Sequence, residues 1–351
     1  MWKILKSSII GDDHVAENKP CQDSYMIEEV DDDRLILAVA DGHGGRFYCR
    51  SDLGAQFACE SAVEILRNNT IPWESVPAQI KNLYDQKVEA HLLEKPLTDE
   101  ELIKVNGQVD RVAYGSTLIC CSVTREGVFR AQVGDGEIHA VTASGNFLED
   151  LPDDSSCVGF FTTSLASPFA ANQFRWRFDP APPVAVVLYT DGYVSGRTRP
   201  WDILELVKTL PEDEKIPQKV LEAGKRGDDQ TVLVAIHTDT VNVPLFLDGF
   251  AKTESRCLIE ERQAELAAKI DIADEAIRAF IQKLVKCDKV PIRESYKIQI
   301  RNRLIAALCE RQRQFMALCQ EYQALEEQKT EQTEEKHQEN PDGNHAEFEV
   351  T

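Results

Sequence analysis

Aspartates at the ends of short apolar runs are the feature that most restricts how this chain of 351 residues can fold. Five runs of six mostly apolar residues have the length and composition of buried strands. An aspartate follows three of the runs and another precedes a fourth, and helical patterns lie between them. The chain is therefore predicted to combine strands with helices. The runs are 35–40, 118–123, 128–133, 184–189 and 231–236, and the aspartates are Asp41, Asp135, Asp191 and Asp228.

The placement of these four carboxylates has a chemical consequence. The end of a strand holds a side chain rigidly, and the glycines that follow Asp41, Asp135 and Asp191 let a ligand approach the backbone. Neighbouring carboxylates repel each other unless a cation neutralises them, and hard oxygen ligands suit Mg²⁺ or Mn²⁺. A single Asp-Gly after a strand is more often an ordinary turn. The set of four is more specific, and it predicts a divalent metal site.

Six short motifs around these aspartates occur in an order that resembles the metal-dependent protein serine/threonine phosphatases of type 2C. The resemblance covers about residues 8–238, and Asp-Gly-His-Gly-Gly at 41–45 is its most diagnostic part. It implies the fold class α+β, as a four-layer α-β-β-α sandwich of two antiparallel sheets with helices on both outer faces. We assign residues 1–238 to this catalytic domain. The motifs lie at 20–24, 40–45, 114–118, 133–136, 189–192 and 227–232.

The resemblance implies a role for each metal-site residue. Asp41 would bridge two Mg²⁺ or Mn²⁺ ions, and the carbonyl of Gly42 would hold one of them. Asp191 and Asp228 would bind the other ion. Asp135 matches a position that contributes to a third, weaker site in some relatives, although Gly136 here replaces the more usual serine.

Two further residues receive catalytic roles from the same resemblance. Asp23 would lie behind the metal ligands and orient water. His43 matches a proposed general acid that protonates the leaving alkoxide, and its other interpretation is a polar turn residue.

Two positions depart from the family pattern. Gln22 stands where a glutamate commonly precedes the first-motif aspartate, and glutamine can still orient water. Asn18 stands where an arginine commonly clamps the substrate phosphate. Lys19 or His14 can supply a positive charge nearby, but a point charge does not reproduce the bidentate fork of an arginine. The binding of the substrate phosphate is therefore where the comparison with the family is weakest.

The activity that the resemblance implies is hydrolysis of phosphoserine or phosphothreonine in proteins by a metal-activated water, without a covalent intermediate. The alternative is a phosphatase-fold adaptor with weakened catalysis, which binds partners through its C-terminal helices. Retention of Asp41, Asp191 and Asp228 favours the enzyme, and the missing arginine favours the adaptor. A metal-dependent nuclease conflicts with the net charge of 39 − 60 = −21, which repels nucleic acid.

Composition indicates the compartment. The ten cysteines form no Cys-x-x-Cys pair, which favours reduced thiols over a disulfide framework or a zinc site. No apolar run approaches the roughly 18–20 residues that a membrane span needs, and no signal-peptide core follows Met1. We therefore expect a cytoplasmic protein without a membrane association.

The pattern changes after Val243. Apolar residues then recur at heptad-like spacings of three and four, which predicts a helical hairpin over residues 245–325. This hairpin could associate with a second copy, recruit a protein partner, or fold back onto the catalytic domain. Residues 326–351 carry two lysines and nine acids, so their charge is 2 − 9 = −7, and we expect them to be a disordered tail.

Overall fold

The computed structural model describes residues 1–31, 34–152, 162–193, 205–208, 214–216, 221, 227–287 and 293–339. The chain divides into two compact units, Met1–Phe250 and Ala251–Thr351. The described helices are α1 (Asp12–Ala16), α2 (Ser51–Arg67), α3 (Val76–Glu94), α4 (Asp99–Val105), α5 (Ala170–Gln173), α6 (Val243–Cys287) and α7 (Glu294–Glu339).

The first unit contains two antiparallel sheets. The four-stranded sheet has the order β1-β9-β8-β6, and the five-stranded sheet has the order β2-β3-β4-β5-β7. The strands are β1 (Trp2–Ile9), β2 (Ser24–Asp31), β3 (Arg34–Ala40), β4 (Leu118–Thr124), β5 (Gly127–Val133), β6 (Glu137–Val141), β7 (Arg175–Asp179), β8 (Ala185–Tyr189) and β9 (Gln230–His237).

The five predicted strands are confirmed, and in the described part of the chain they are the interior strands of the two sheets: β3, β4, β5, β8 and β9. The four strands that were not predicted, β1, β2, β6 and β7, are the sheet edges. Strands β1, β2 and β7 expose part of their surface and carry polar residues, so their sequences lack a continuous apolar run. Strand β6 is mostly buried, but it has only five residues, and Glu137 and His139 interrupt its apolar pattern.

Alternating side chains of the interior strands build two layers of core. Leu35, Leu37 and Val39 of β3 point between the sheets, where they share a buried cluster with Leu188 and Leu233. The intervening residues of β3 face α2 and α3, and small side chains on α2 allow its close packing there. These α2 residues are Ala55, Ala58 and Ala62.

The outer face of the four-stranded sheet is covered as well. Val187, Val234 and Ile236 point away from the core between the sheets, and all three are fully buried. Both faces of both sheets are therefore closed to solvent along their interior strands, and the predicted α+β sandwich is confirmed.

The second unit is an antiparallel pair of helices. Arg262 of α6 pairs with Glu321 of α7 at 2.6 Å, whereas Arg311 of α7 lies over the ring of Phe280 at 4.7 Å. Residues near the end of α6 therefore contact residues nearer the start of α7, so the two helices run in opposite directions. Among the described residues, no helix has an apolar stretch that could cross a membrane.

The C-terminal boundaries differ from the predicted ones. Helix α7 continues to Glu339, whereas we expected a disordered tail from Glu326. The first fourteen residues of that predicted tail are therefore helical. Those residues are mostly glutamate, glutamine and lysine, which favour helix, and Pro341 is the first helix breaker after them. Residues 340–351 lie outside the described part of the chain.

The boundary between the two units also lies later than position 238. Phe246 and Phe250, in the first two turns of α6, are buried in the first unit. A Cβ atom on Gly249 would overlap the carbonyl of Ser144, which shows how tightly these turns pack against the loop after β6. The start of α6 is therefore part of the first unit's core.

A chain that ends at Asp239 is expected to be much less stable than one that ends at Glu254. The shorter chain loses Phe246 and Phe250, and removing one buried phenylalanine ring costs about 3–5 kcal/mol. Two such losses are comparable with the whole stability of a domain. Urea unfolding of the two truncated proteins would measure the difference. Equal midpoints would show that these rings do not hold the domain together.

Candidate metal centre

Strand register brings the first two predicted site residues together. In the pairing of β2 with β3, Ser24 lies opposite Ala40, so Asp23 and Asp41 occupy neighbouring positions at the same end of the sheet. Thr117, which immediately precedes β4, holds Asp41 from the other side. Its backbone N–H donates to the Asp41 carbonyl at 2.8 Å, and its hydroxyl accepts from the Asp41 N–H at 2.9 Å.

Three carboxylates converge at this end of the sandwich. Asp41 follows β3, Asp191 follows β8, and Asp135 lies in the turn between β5 and β6. One carboxylate oxygen from each residue lies within 4.8 Å of the other two. Asp135 also accepts a hydrogen bond from the hydroxyl of Thr162 at 2.6 Å, which orients its carboxylate. The turn residue that we assigned to a weaker third site thus lies in the central cluster.

The cluster is costly without a cation. The pKa of Asp41 is raised well above its usual value, first because the carboxyl is buried, and then because Asp23, Asp191 and Asp135 are negatively charged neighbours. A bound divalent cation would reverse this penalty. Three oxygen donors and no sulfur or imidazole in this group match the preference of Mg²⁺ and Mn²⁺.

Gly42 lies where no other residue fits. A Cβ atom at this position would approach the carbonyl oxygen of Ser51 to 2.6 Å and that of Gln22 to 2.7 Å. The N–H of Gly42 donates to the Gln22 carbonyl at 3.0 Å. The backbone after Asp41 is therefore held between the start of α2 and the segment before β2.

Asp23 is tied to the opposite sheet. Its Oδ2 accepts a hydrogen bond from the Thr190 hydroxyl at 2.8 Å, and that hydroxyl accepts from the Thr231 N–H at 3.0 Å. Its Oδ1 is buried and has no hydrogen-bond partner among the described residues. Burial is the main reason that the pKa of Asp23 rises to about 7, and the negative charges of Asp229 and Asp228 raise it further.

With metal removed by a chelator, the protein is expected to lose stability as the pH rises from about 4 to 7. The pKa of Asp23 is raised from 3.8 to about 7 on folding, so its stabilising contribution is complete below pH 3.8 and is lost as the pH rises through about 7. A pKa change of this size corresponds to roughly 4 kcal/mol. Asp41 shifts in the same direction.

The measurement is urea unfolding in chelator at several pH values, with Asp23→Asn as the comparison. The variant should show a flatter dependence on pH because residue 23 no longer ionises. If the metal-free parent protein instead became more stable over this range, the assignment of buried, ionising carboxyl groups would be wrong.

His43 lies beside this cluster. Its ring packs edge-on against Tyr48 at 4.9 Å, and the backbone N–H of His43 donates to the Gly115 carbonyl at 3.0 Å. Its Nε2 is buried without a hydrogen-bond partner in the described part of the chain. Burial lowers the pKa of His43 to about 4, although the charge of Asp191 acts in the opposite direction. The metal-free protein therefore holds a neutral imidazole at pH 7, and the general-acid role stays a prediction.

Asp228 is placed apart from the three clustered carboxylates. It lies at the entrance to β9, and its charge raises the pKa of Asp23. The predicted sharing of one ion between Asp228 and Asp191 therefore stays a prediction.

Asp229 is a site residue that the sequence reasoning missed. Its buried carboxylate accepts hydrogen bonds from the N–H groups of Gly11 at 2.8 Å and Gln22 at 2.6 Å, and it contacts His14 Nδ1 at 2.9 Å. It thus fastens both ends of the segment that precedes Asp23. The pair of adjacent aspartates at the start of a strand was the available signal, since successive strand residues point to opposite sides.

The structure also shows what surrounds the position of the missing arginine. Asn18 is exposed and has a left-handed backbone with φ of 55°. Lys19 forms an ion pair with Glu17 at 2.5 Å, and His14 is held by Asp229. Both proposed substitutes for the arginine therefore already have acidic partners.

The fold and the carboxylate cluster define a protein of the metal-dependent phosphatase class. A family model described as protein phosphatase 2C matches residues 10–222. This match spans more than half of the chain, and the chain belongs to the protein phosphatase 2C family. It ends before β9, so Asp228 and Asp229 lie beyond the matched residues. No curated protein sequence matches the chain.

Solved structures of low sequence identity are similar to the chain. RsbX in complex with magnesium is 17% identical, with 67% of this chain and 94% of that chain covered and a TM-score of 0.40. The catalytic domain of the phosphatase PstP with two manganese ions is 15% identical, covering 67% and 97%, with a TM-score of 0.43. A sex determining protein of C. elegans is 18% identical, covering 69% and 67%, with a TM-score of 0.45.

Proposed function

We propose that this protein is a Mg²⁺- or Mn²⁺-dependent protein serine/threonine phosphatase whose substrates are phosphoproteins. The observation that carries the proposal is the group of three carboxylates, Asp41, Asp135 and Asp191, with oxygens within 4.8 Å of one another. Such an arrangement is unfavourable in a metal-free protein, as the raised pKa of Asp41 shows. It becomes favourable when a divalent cation is bound.

The residues of the site have two kinds of role: some would bind metal, and others would position the reactants. The candidate metal ligands are Asp41, Asp135, Asp191, Asp228 and the Gly42 carbonyl. We expect this set to bind two ions and, more weakly, a third. When bound, the metal supplies a water of lowered pKa and neutralises charge on the phosphoryl group.

Two more residues position the reactants. Asp23 is held by Thr190 and Thr231, and its free oxygen is available to orient a water molecule. His43 presents its unpartnered Nε2 beside the cluster, where it can exchange a hydrogen bond with a leaving oxygen.

No nucleophilic side chain is needed in this scheme. Cys21 is the cysteine nearest to Asp23 in sequence, and burial raises the pKa of its thiol to about 12. A thiol with this pKa is almost entirely protonated at neutral pH and is a poor nucleophile.

The test is phosphate release from p-nitrophenyl phosphate and from a phosphothreonine peptide, with Mn²⁺, with Mg²⁺ and with excess chelator. We expect turnover that requires metal and that Asp191→Asn removes. Turnover that persists in chelator would overturn the proposal, because the proposed reaction requires a water activated by the metal.

A second candidate function is an adaptor that binds metal and partners without turnover. The observation that favours it lies in the described residues around Asn18, where Lys19 is paired with Glu17 and His14 with Asp229. Calorimetric titration with Mn²⁺ separates the two functions. Tight metal binding without phosphate release from either substrate would favour the adaptor.

A further inference from the structure

The charge of the C-terminal hairpin is divided sharply along its length. Residues 276–287 and 293–313, which we call the hairpin tip, carry nine Lys and Arg and two Asp and Glu, so the tip charge is 9 − 2 = +7. The hairpin base comprises residues 251–275 and 314–339, which belong to the second unit. Its six Lys and Arg and fourteen Asp and Glu give 6 − 14 = −8. In a chain with a net charge of −21, the tip is a strongly basic exception.

Apolar side chains are exposed on the same basic tip. Several large hydrophobic residues there have relative exposures between 42% and 59%. Ile281 and Val285 are four residues apart on α6, and Tyr296 and Ile300 are four residues apart on α7, so each pair lies side by side on its helix. Exposed apolar surface of this kind marks an interaction site. The exposed tip residues are Ile281, Val285, Tyr296, Ile298, Ile300 and Ile305.

The seam between the two helices is also incompletely covered. The heptad-like pattern places twelve apolar residues along α6 and α7, and of these only Leu266 is fully buried. Two helices alone leave such a seam open on its flanks, whereas four helices enclose a core. The half-buried seam residues are Ile270, Ala273, Ile277, Phe280, Leu284, Leu304, Leu308, Phe315, Leu318, Tyr322 and Leu325.

We propose that the hairpin pairs with the hairpin of a second copy of this chain in an antiparallel, two-fold arrangement. The basic tip of each copy then lies on the acidic base of the other, and the half-buried seams close into a four-helix core. This inference does not depend on the proposed phosphatase activity.

Charge complementarity is the reason for choosing a second copy as the partner. Each hairpin carries both halves of the complementary pair, +7 at the tip and −8 at the base. A two-fold axis makes each contact occur twice and closes the assembly, so a dimer satisfies both ends at once. A parallel pairing would instead place the two basic tips together, which costs free energy.

The first measurement is the mass of the full chain by light scattering at about 20–100 µM in 0.15 M NaCl, where charges are screened beyond about 8 Å. We expect 2 × 39.5 = 79 kDa. A mass of 39.5 kDa throughout this range would overturn the proposal.

The second measurement tests the arrangement by charge reversal. A tip variant changes the exposed residues Lys283, Lys286, Arg293 and Arg303 to Glu, so the tip charge becomes 7 − 8 = −1. Tip and base then carry the same sign, and we expect this variant to be monomeric.

A base variant changes Glu254, Asp271, Glu275 and Glu327 to Lys, so the base charge becomes −8 + 8 = 0. It loses nearly all of the attraction between base and tip and should also be monomeric. When the two variants are mixed, the unchanged tip of one meets the unchanged base of the other, so the mixture should form dimers. Failure of the mixture to associate, or dimers of either variant alone, would contradict antiparallel pairing.

Charge-conserving exchanges at the same eight positions serve as the control. Lys and Arg are exchanged for each other in the tip, and Asp and Glu are exchanged in the base. These variants should dimerise as the parent protein does. Circular dichroism of every variant would confirm that the helical content is retained, so that a lost dimer reports on the interface.

Discussion

Asp41→Asn is expected to lower metal-dependent phosphate release by at least about 10³-fold. Asp41 lies at the centre of the carboxylate cluster, with Asp23, Asp135 and Asp191 close enough to raise its pKa. An amide retains the shape of the side chain but removes one negative charge from the set that would hold the metal. The measurement is initial rate against Mn²⁺ concentration for the variant and the parent protein.

The same substitution should stabilise the metal-free protein. Removing one charge from crowded, partly buried carboxylates relieves repulsion, so the Tm in chelator should rise. Added Mn²⁺ should then stabilise the parent protein but not the variant, because ligand binding stabilises only a protein that binds it. Asp110→Asn, at an exposed aspartate outside the cluster, is the matched control and should change neither property. Unchanged turnover in Asp41→Asn would remove the basis for the metal assignment.

Arg50→Met is expected to destabilise the protein by about 3–5 kcal/mol. Arg50 precedes α2 and forms a bidentate pair with Glu101, with N–O distances of 2.7 and 2.8 Å. It also donates to the carbonyls of Lys95 and Pro96 and to the Tyr114 hydroxyl. Its side chain is only 11% exposed, so its removal leaves the Glu101 charge and three oxygens poorly solvated.

This buried ion pair also makes a pH-dependent contribution. The hydrogen bonds from Arg50 are the main reason that the pKa of Glu101 falls from 4.5 to about 2. The stabilisation is therefore complete above pH 4.5 and is lost as the pH falls through about 2. Urea unfolding of the parent and the variant at pH 7 gives the size of the effect.

Arg67→Met is the matched control for Arg50→Met. Arg67 also forms a bidentate pair, with Glu28, but its side chain is 58% exposed. Exposed ion pairs contribute about 0–1 kcal/mol, so this variant should remain near the stability of the parent protein. Equal losses in the two variants would show that burial does not determine the contribution of the Arg50 pair.

Arg50 has a further link to the metal centre. Its backbone N–H donates to the Ala113 carbonyl at 2.8 Å, and its side chain contacts Tyr114. The carbonyl of the next residue, Gly115, accepts a hydrogen bond from the backbone N–H of His43, and Thr117 forms hydrogen bonds with the backbone of Asp41. A disturbance at Arg50 would therefore reach both site residues through the segment 113–117.

The interior of the sandwich could be predicted from sequence because burial on both faces requires long apolar runs. All five predicted strands are interior strands, and each of the four unpredicted strands lies at an edge of the described sheets. An edge strand such as β2 is specified by its partner, since its own burial pattern mixes exposed and half-buried residues. Local pattern alone carries too little information to find it.

The candidate site follows the same division. That aspartates stand at strand ends was visible in the sequence, and the three that cluster, Asp41, Asp135 and Asp191, were all among the predicted ligands. The placement of Asp228 outside that cluster and the buried role of Asp229 were not visible. They depend on how the start of β9 meets segments more than 200 residues earlier in the chain, Gly11 and Gln22 among them.

The C-terminal helices show the same limit. Their heptad-like spacing predicted two helices, because that pattern is local and repeats every turn or two. The burial of Phe246 and Phe250 in the first unit was decided by the tertiary structure, as was the ion pair between Arg50 and Glu101. The sequence determined which residues are apolar, charged or able to bind metal. Only the register of strands and the packing of distant segments decided which of them meet, because those contacts have no signature in local periodicity.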